Sequence, residues 1–247
     1  QEIKVVYRRD VEEISSLQGI EYFTELRTLE CDMQPVGFLD TSPFTMLESL
    51  SCVKTGLAEL DVSHNPNLKT LECSSNELTE LDVSHNTGLE ELYCYYNQLT
   101  TLDVSANTEL KALSCGGNPL EGLDVSNNLS LTFLGIARSG MDFIDVSKNA
   151  TLTKLSCPGN NLTEVDISNN PELVILYCED NEMTHLDVTQ NPKLQVITCQ
   201  NNQLTDLDLS KNTALVELDC SGNTLSALDL SNNTLLEDFD CGSNQLT

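Results

Sequence analysis

The apolar positions of this chain return every 21 residues. One stretch reads Leu68-x-x-Leu71-x-Cys73-x-x-Asn76-x-Leu78-Thr79-x-Leu81-Asp82-Val83-Ser84-x-Asn86, and Leu89 then occupies the Leu68 slot of the next. Leu71 and Cys73 alternate with polar neighbours, which predicts a short strand with one buried face. Leu81-Asp82-Val83 alternates in-out-in, but that half spans only about ten residues, room for a turn or extended segment and not for a helix of usual length. Each period offers about six apolar groups, worth roughly 1.5–3 kcal/mol each for the larger ones. Ordering its backbone costs about 1–2 kcal/mol per residue. One period therefore cannot fold alone, and neighbours must stack into a quasi-one-dimensional array.

Four polar or small-residue ladders keep the same step. Cysteine stands at 31, 52, 73, 94, 115, 157, 178, 199, 220 and 241, and the one skipped slot holds Ile136, so the slot accepts a buried aliphatic. Aspartate runs from Asp40 through Asp61, Asp82 and Asp103 to Asp229. One asparagine ladder runs from Asn76 to Asn244, with Ser139 standing in once, and a second runs from Asn65 to Asn233. Self-similarity of this kind is the signature of a repeat array.

The ends depart from the pattern. Residues 1–22 form the expected N-terminal cap and 23–247 an array of about eleven repeats, the last incomplete. Lys4-Val5-Val6-Tyr7-Arg8-Arg9 reads as a short strand, its basic residues suited to a solvated sheet edge. Ile14, Leu17, Ile20, Phe23, Leu26 and Leu29 recur every three residues and predict a tight coil over the first strand. The chain begins with Gln1 without a charged-then-apolar leader, so any signal peptide is expected to have been removed or never included. Thr247 falls inside a repeat, so the chain is expected to be a fragment or to be followed by a capping or anchoring region.

Charge narrows the function classes. Thirty-nine acidic against twelve basic side chains give a formal charge of −27. That argues against sequence-independent nucleic-acid binding, which needs a basic surface, and against docking on an anionic leaflet. No apolar run approaches the roughly 20 residues of a membrane helix.

The ladders suggest chemistry that other readings match. In-register strands would point neighbouring thiols the same way, which disfavours the disulfide dihedral, and a straight row does not converge on zinc. Free buried thiols acting as small hydrophobes fit better. The Asp ladder reads either as Asx turns closing on the residue two further on or as a row of calcium ligands, for which a single carboxylate per repeat is a poor set. The first asparagine ladder is expected to bond backbone groups in the turn between repeats. His64 and His85 share one slot in adjacent repeats, either a metal pair or a variable exposed position. Asp82, Ser84 and His85 imitate hydrolase residues, yet near neighbours in sequence cannot converge as a triad. No nucleophile elbow, phosphate loop or zinc motif is present. Asn128-Leu-Ser, Asn149-Ala-Thr, Asn161-Leu-Thr and Asn232-Asn-Thr match a glycosylation sequon, which arises by accident in a chain rich in these residues.

The Leu68 to Asn86 pattern resembles the leucine-rich repeat. Its 21-residue period, cysteine ladder and L-D-V-S-x-N half are similar to the bacterial internalin-J-like class over about residues 23 to 247. The resemblance implies a solenoid with a curved parallel β-sheet on its concave face, turns and short extended segments on the convex face, and little helix. It implies a secreted or cell-surface recognition module, without enzymatic activity or cofactor, that binds a protein partner through the concave sheet, as a bacterial adhesin does. A carbohydrate-binding module and a passive stalk are the alternatives.

Most outward strand positions carry small or acidic groups such as Glu72, Ser114 and Asp219. Two repeats differ, one with Tyr93, Tyr95 and Tyr96, the other with Ile175, Tyr177 and Glu179. Four steps of about 4.8 Å set these aromatic walls roughly 19 Å apart, over a low floor of Ser114, Gly135 and Ser156 that also holds Phe133, Arg138 and Lys154. The intervening repeat breaks pattern at Gly135, Ile136 and Ser139, and local departures from an ideal pattern are candidate functional positions. These nine side chains, from Tyr93 to Glu179, are the expected ligand-binding set.

Overall fold

The computed structural model describes residues 1–4 and 15–247. The chain forms two compact units, Gln1–Leu123 and Asp124–Thr247. The first contains β1 (Glu2–Lys4), a 3-10 turn at Ile20–Tyr22, β2 (Thr28–Glu30), β3 (Ser49–Ser51), β4 (Thr70–Glu72), β5 (Glu91–Tyr93) and β6 (Ala112–Ser114). The second contains β7 (Phe133–Gly135), β8 (Lys154–Ser156), β9 (Ile175–Tyr177), β10 (Val196–Thr198), β11 (Glu217–Asp219) and β12 (Asp238–Asp240). Within each unit every strand pairs in parallel with the next, and from β2 onward the register follows the 21-residue step residue for residue, as in Leu50↔Leu71 and Leu155↔Leu176. Each unit is a leucine-rich-repeat β-solenoid.

The in-register pairing explains the ladders. Middle strand residues such as Leu71, Leu92, Leu155 and Leu176 are fully buried, and so are Cys73, Cys94, Cys157 and Cys178 behind them. The cysteines are free thiols, nine buried and Cys241 half-buried. Ile136 fills the skipped slot with no exposure. In the other half of the repeat, Leu81 and Val83 are buried and Asp82 between them is exposed, as the alternation requires.

Hydrogen bonds tie each turn to the next. Asn76 accepts at Oδ1 from the Thr55 and Leu57 amides (3.0 and 3.1 Å) and donates from Nδ2 to the Cys52 and Cys73 carbonyls (2.8 and 2.9 Å). That satisfies buried backbone groups that neither strand can reach. The second asparagine ladder also bonds backbone: Asn86 Nδ2 donates to the Val62 and Asn65 carbonyls at 3.0 and 2.9 Å. All ten ladder aspartates accept the amide of the residue two further on at 2.8–3.0 Å, closing Asx turns.

The N-terminal expectations need one correction. β1 pairs with β2, and Ile20 enters the 3-10 turn, but Leu29 is the buried centre of β2 and Phe23 is exposed. The three-residue spacing thus ran across an element boundary. Ile14 and the stretch from Val5 to Arg9 lie outside the described residues. No helix among the described residues is long and apolar enough to cross a membrane.

Candidate functional site on the outward face of the sheet

Strand alternation turns the first and third residue of each strand outward, and the burial pattern of nearly every strand places the middle residue inside. Tyr93, Tyr95 and Tyr96 lie in the first unit and the other six expected residues in the second.

In the first unit Tyr93 is the last residue of β5 and half-buried. Burial pushes its phenol pKa up, with the Glu91 and Glu72 charges adding to the effect. The Tyr95 and Tyr96 rings meet edge to face, centroids 5.7 Å apart at 78°, a favoured aromatic geometry. Tyr96 is 53% exposed and adopts φ 54°. Its ring lies against Gly117 of the next turn, where a β-carbon would overlap Cδ1 and stand 2.7 Å from Cε1.

In the second unit Lys154 opens β8, in register between Phe133 of β7 and Ile175 of β9. Its ammonium lies 5.3 Å from the Phe133 ring centre and 5.1 Å from that of Tyr177, inside the range of cation–π attraction. All three side chains are half-buried. Gly135 and Ser156, the third residues of β7 and β8, leave the surface beside this clamp without a bulky side chain. Glu179 is drawn to the next turn, where the Thr198 hydroxyl donates to its Oε2 at 2.5 Å. Arg138 is exposed at φ 54° and leans over Gly159, whose β-carbon would come within 2.9 Å of Arg138 Cγ. The structure thus brings Phe133, Lys154 and Tyr177 into one cluster, sets Ile175 beside it, and holds Glu179 and Arg138 by contacts of their own.

Two features were not anticipated from sequence. The residue before each first-ladder slot, and before Gln34 and Thr55 in the same phase, is left-handed, from Met33 and Lys54 through Tyr96, Gly117, Arg138, Gly159 and Asp180 to Ser243. Gly at three of these slots, with Asp and Asn at two others, was a readable signal for positive φ. The second is a cavity of about 640 Å³ in the first unit, lined by Phe38, Leu39, Leu60, Leu81 and the acids Asp40, Glu59, Asp61, Glu80, Asp82 and Asp103. The Ser105 hydroxyl and backbone N–H hold Asp103 below the usual carboxylate range. The Ser63 and Ser84 pairs do the same for Asp61 and Asp82.

His85 Nδ1 meets the Ser84 hydroxyl at 3.2 Å, while the Asp82 carboxylate accepts the Ser84 amide and does not orient the imidazole. His64 Nδ1 likewise meets its neighbour Ser63, at 3.1 Å. Among the described residues no three or more His, Cys, Asp or Glu side chains are grouped to hold a metal ion.

No family model matches the sequence, and no curated protein does. Solved structures do match. The functional domain of InlJ from Listeria monocytogenes, described as including a cysteine ladder, is 38% identical with a TM-score of 0.87, covering 90% of this chain and 50% of that one. A leucine-rich-repeat protein of Leptospira interrogans is 22% identical with a TM-score of 0.87, over 95% of this chain and 65% of that one. The leucine-rich-repeat ectodomain of the Arabidopsis receptor kinase HAESA, solved with a peptide hormone, is 20% identical with a TM-score of 0.75, over 91% and 43%. The chain therefore spans about half the length of the InlJ structure and less than two thirds of the Leptospira one. With its 21-residue repeats, buried cysteine ladder and parallel strands in register, this chain belongs to the internalin-J-like class of leucine-rich-repeat proteins.

Proposed function

We propose that this chain is a non-enzymatic recognition module that binds a protein partner through the outward face of its parallel sheet, in a secreted or surface-displayed bacterial protein of adhesin type. The observation that carries the reading is the Lys154 ammonium between the Phe133 and Tyr177 rings. A repeat scaffold needs only Leu at the middle of each strand, so it has no use for a cation wedged between two half-buried aromatics. Aromatic and long cationic side chains fixed in place supply contact area with little left to order on binding. The InlJ likeness supports a secreted or surface setting, and nine buried thiols tolerate oxidising surroundings because a buried thiol is inert. The peptide complex of the HAESA ectodomain supports the sheet-bearing architecture as a platform for polypeptides.

A glycan is the second reading, favoured by the exposed Tyr96 ring beside Tyr95. The test is affinity capture with the whole chain, repeated with Tyr177→Ala, with Tyr93→Ala and with Lys211→Gln as a control on an exposed turn. A captured protein that is identified, purified and shown to bind at least tenfold more weakly to either tyrosine variant, but not to the control, supports the proposal. Equal binding to all four chains overturns it, and purified glycan binding without any protein ligand favours the second reading.

A further inference from the structure

Three cations on this chain have carboxylate partners one turn away. Arg27 pairs with Glu48, Lys111 with Glu90 at 2.6 Å, and Lys193 with Glu172 at 2.5 Å. Lys154 does not. Its register neighbours are Phe133 and Ile175, its charge faces two rings, and among the described residues it forms no ion pair. Glu179, the acid that follows Tyr177, is engaged by Thr198. An ammonium between two ring faces keeps N–H donors directed away from both, and Gly135 and Ser156 leave room beside them.

Three strands further on, the same face changes sign. Glu217 stands in register with Asp238, and Asp219 with Asp240; none of the four meets a cation among the described residues. On a chain of charge −27, a polyanion would gain one cation and face these acids. A ligand with one isolated carboxylate and a base further along matches both regions.

Resting on the sheet-face reading above, we propose that Lys154 is the anchor for a single Asp or Glu carboxylate on a polypeptide partner, and that a Lys or Arg of the same segment meets the acids of β11 and β12. From β8 to β11 is three strand steps, roughly 14 Å, which an extended peptide spans in about four residues. The partner segment crosses the strands with an acid and a base about four positions apart.

The experiment is selection from a random linear peptide display library on the immobilised whole chain, followed by affinity measurements on synthetic copies of the enriched peptides. The expected result is a shared Asp or Glu about four residues from a Lys or Arg. Affinity then falls at least tenfold with Lys154→Gln, less with Lys154→Arg, not at all with Lys211→Gln, and weakens as salt rises. Circular dichroism and the thermal midpoint confirm that Lys154→Gln is folded. Peptides that need Tyr177 but tolerate Lys154→Gln overturn the carboxylate anchor and leave the sheet-face reading standing. Peptides indifferent to both substitutions overturn both. Failure to enrich any peptide overturns the polypeptide anchor, and Lys154-dependent binding of a uronate-bearing oligosaccharide in that case reassigns the site to an acidic glycan.

Discussion

The ring of Tyr96 lies across Gly117 of the following turn so closely that no β-carbon fits between them. Gly117 also holds φ 68°, where an L side chain costs roughly 1–2 kcal/mol. Gly117→Ala therefore combines backbone strain with a displaced ring, and its expected cost is about 1–3 kcal/mol. Denaturant unfolding measures it. The steric part disappears in the Tyr96→Ala background, so the two substitutions couple. Strictly additive losses contradict the contact.

A reciprocal effect follows at Tyr96 and Arg138, non-glycine residues at φ 54°. Tyr96→Gly relieves left-handed strain but adds unfolded-state entropy, opposing effects of about 1 kcal/mol each. Stability is expected to change by less than about 1 kcal/mol, although an aromatic ring is lost. A large destabilisation would mean that the ring's contacts with Tyr95 and Gly117 outweigh the relief of strain.

The first asparagine ladder is expected to be the least replaceable part of the scaffold. Asn160 donates to the Ile136 and Cys157 carbonyls at 3.0 and 2.9 Å and accepts from the Ser139 and Met141 amides at 3.0 and 3.2 Å. Asn160→Ala leaves these buried backbone groups without that partner, at a cost of about 3–5 kcal/mol. Thermal or denaturant unfolding giving under about 1 kcal/mol would contradict this.

The Asp ladder carries a pH signature. Asp103 is held below its ordinary value of 3.8, first by the Ser105 hydroxyl and then by its amide. A depressed folded-state pKa stabilises fully above the unfolded value and ceases to do so as pH falls through the folded one. Asp103→Asn keeps the turn acceptor but cannot titrate. The stability gap between wild type and this variant is expected to hold constant above about pH 5 and to narrow below 3.8. A gap independent of pH excludes the carboxylate from the turn.

Thiol reactivity separates the cysteines. Burial pushes Cys115 up to about 12, and Cys157 likewise to about 12, so the reactive thiolate is scarce at neutral pH. In the native chain a thiol-specific reagent is expected to label Cys241, the half-buried one, and to spare the nine buried thiols until unfolding. Labelling of Cys115 at the rate of Cys241 would place the ladder outside the core.

How far the sequence speaks depends on the kind of information. Register, core and turn chemistry were legible because one step of 21 puts equivalent residues side by side: Asn76 bonds backbone and Asp82 closes an Asx turn, as their spacing implies. The candidate cluster was legible only as a set of outward residues. Whether Lys154 reaches Glu179 or two rings depends on side-chain directions, which spacing does not encode, and the Thr198 bond that engages Glu179 is a contact between different slots of the repeat. At the N-terminus no second copy constrains the reading, and a run of threes from Ile20 to Leu29 joined a 3-10 turn to a strand.

The most direct measurement is the dissociation constant of one identified, purified protein partner for the wild-type chain and for Tyr177→Ala, with folding of both confirmed by circular dichroism. Removing Tyr177 deletes one ring of the Lys154 clamp and is expected to weaken binding at least tenfold, or about 1.4 kcal/mol. An unchanged constant, with the fold intact, would contradict recognition through this face.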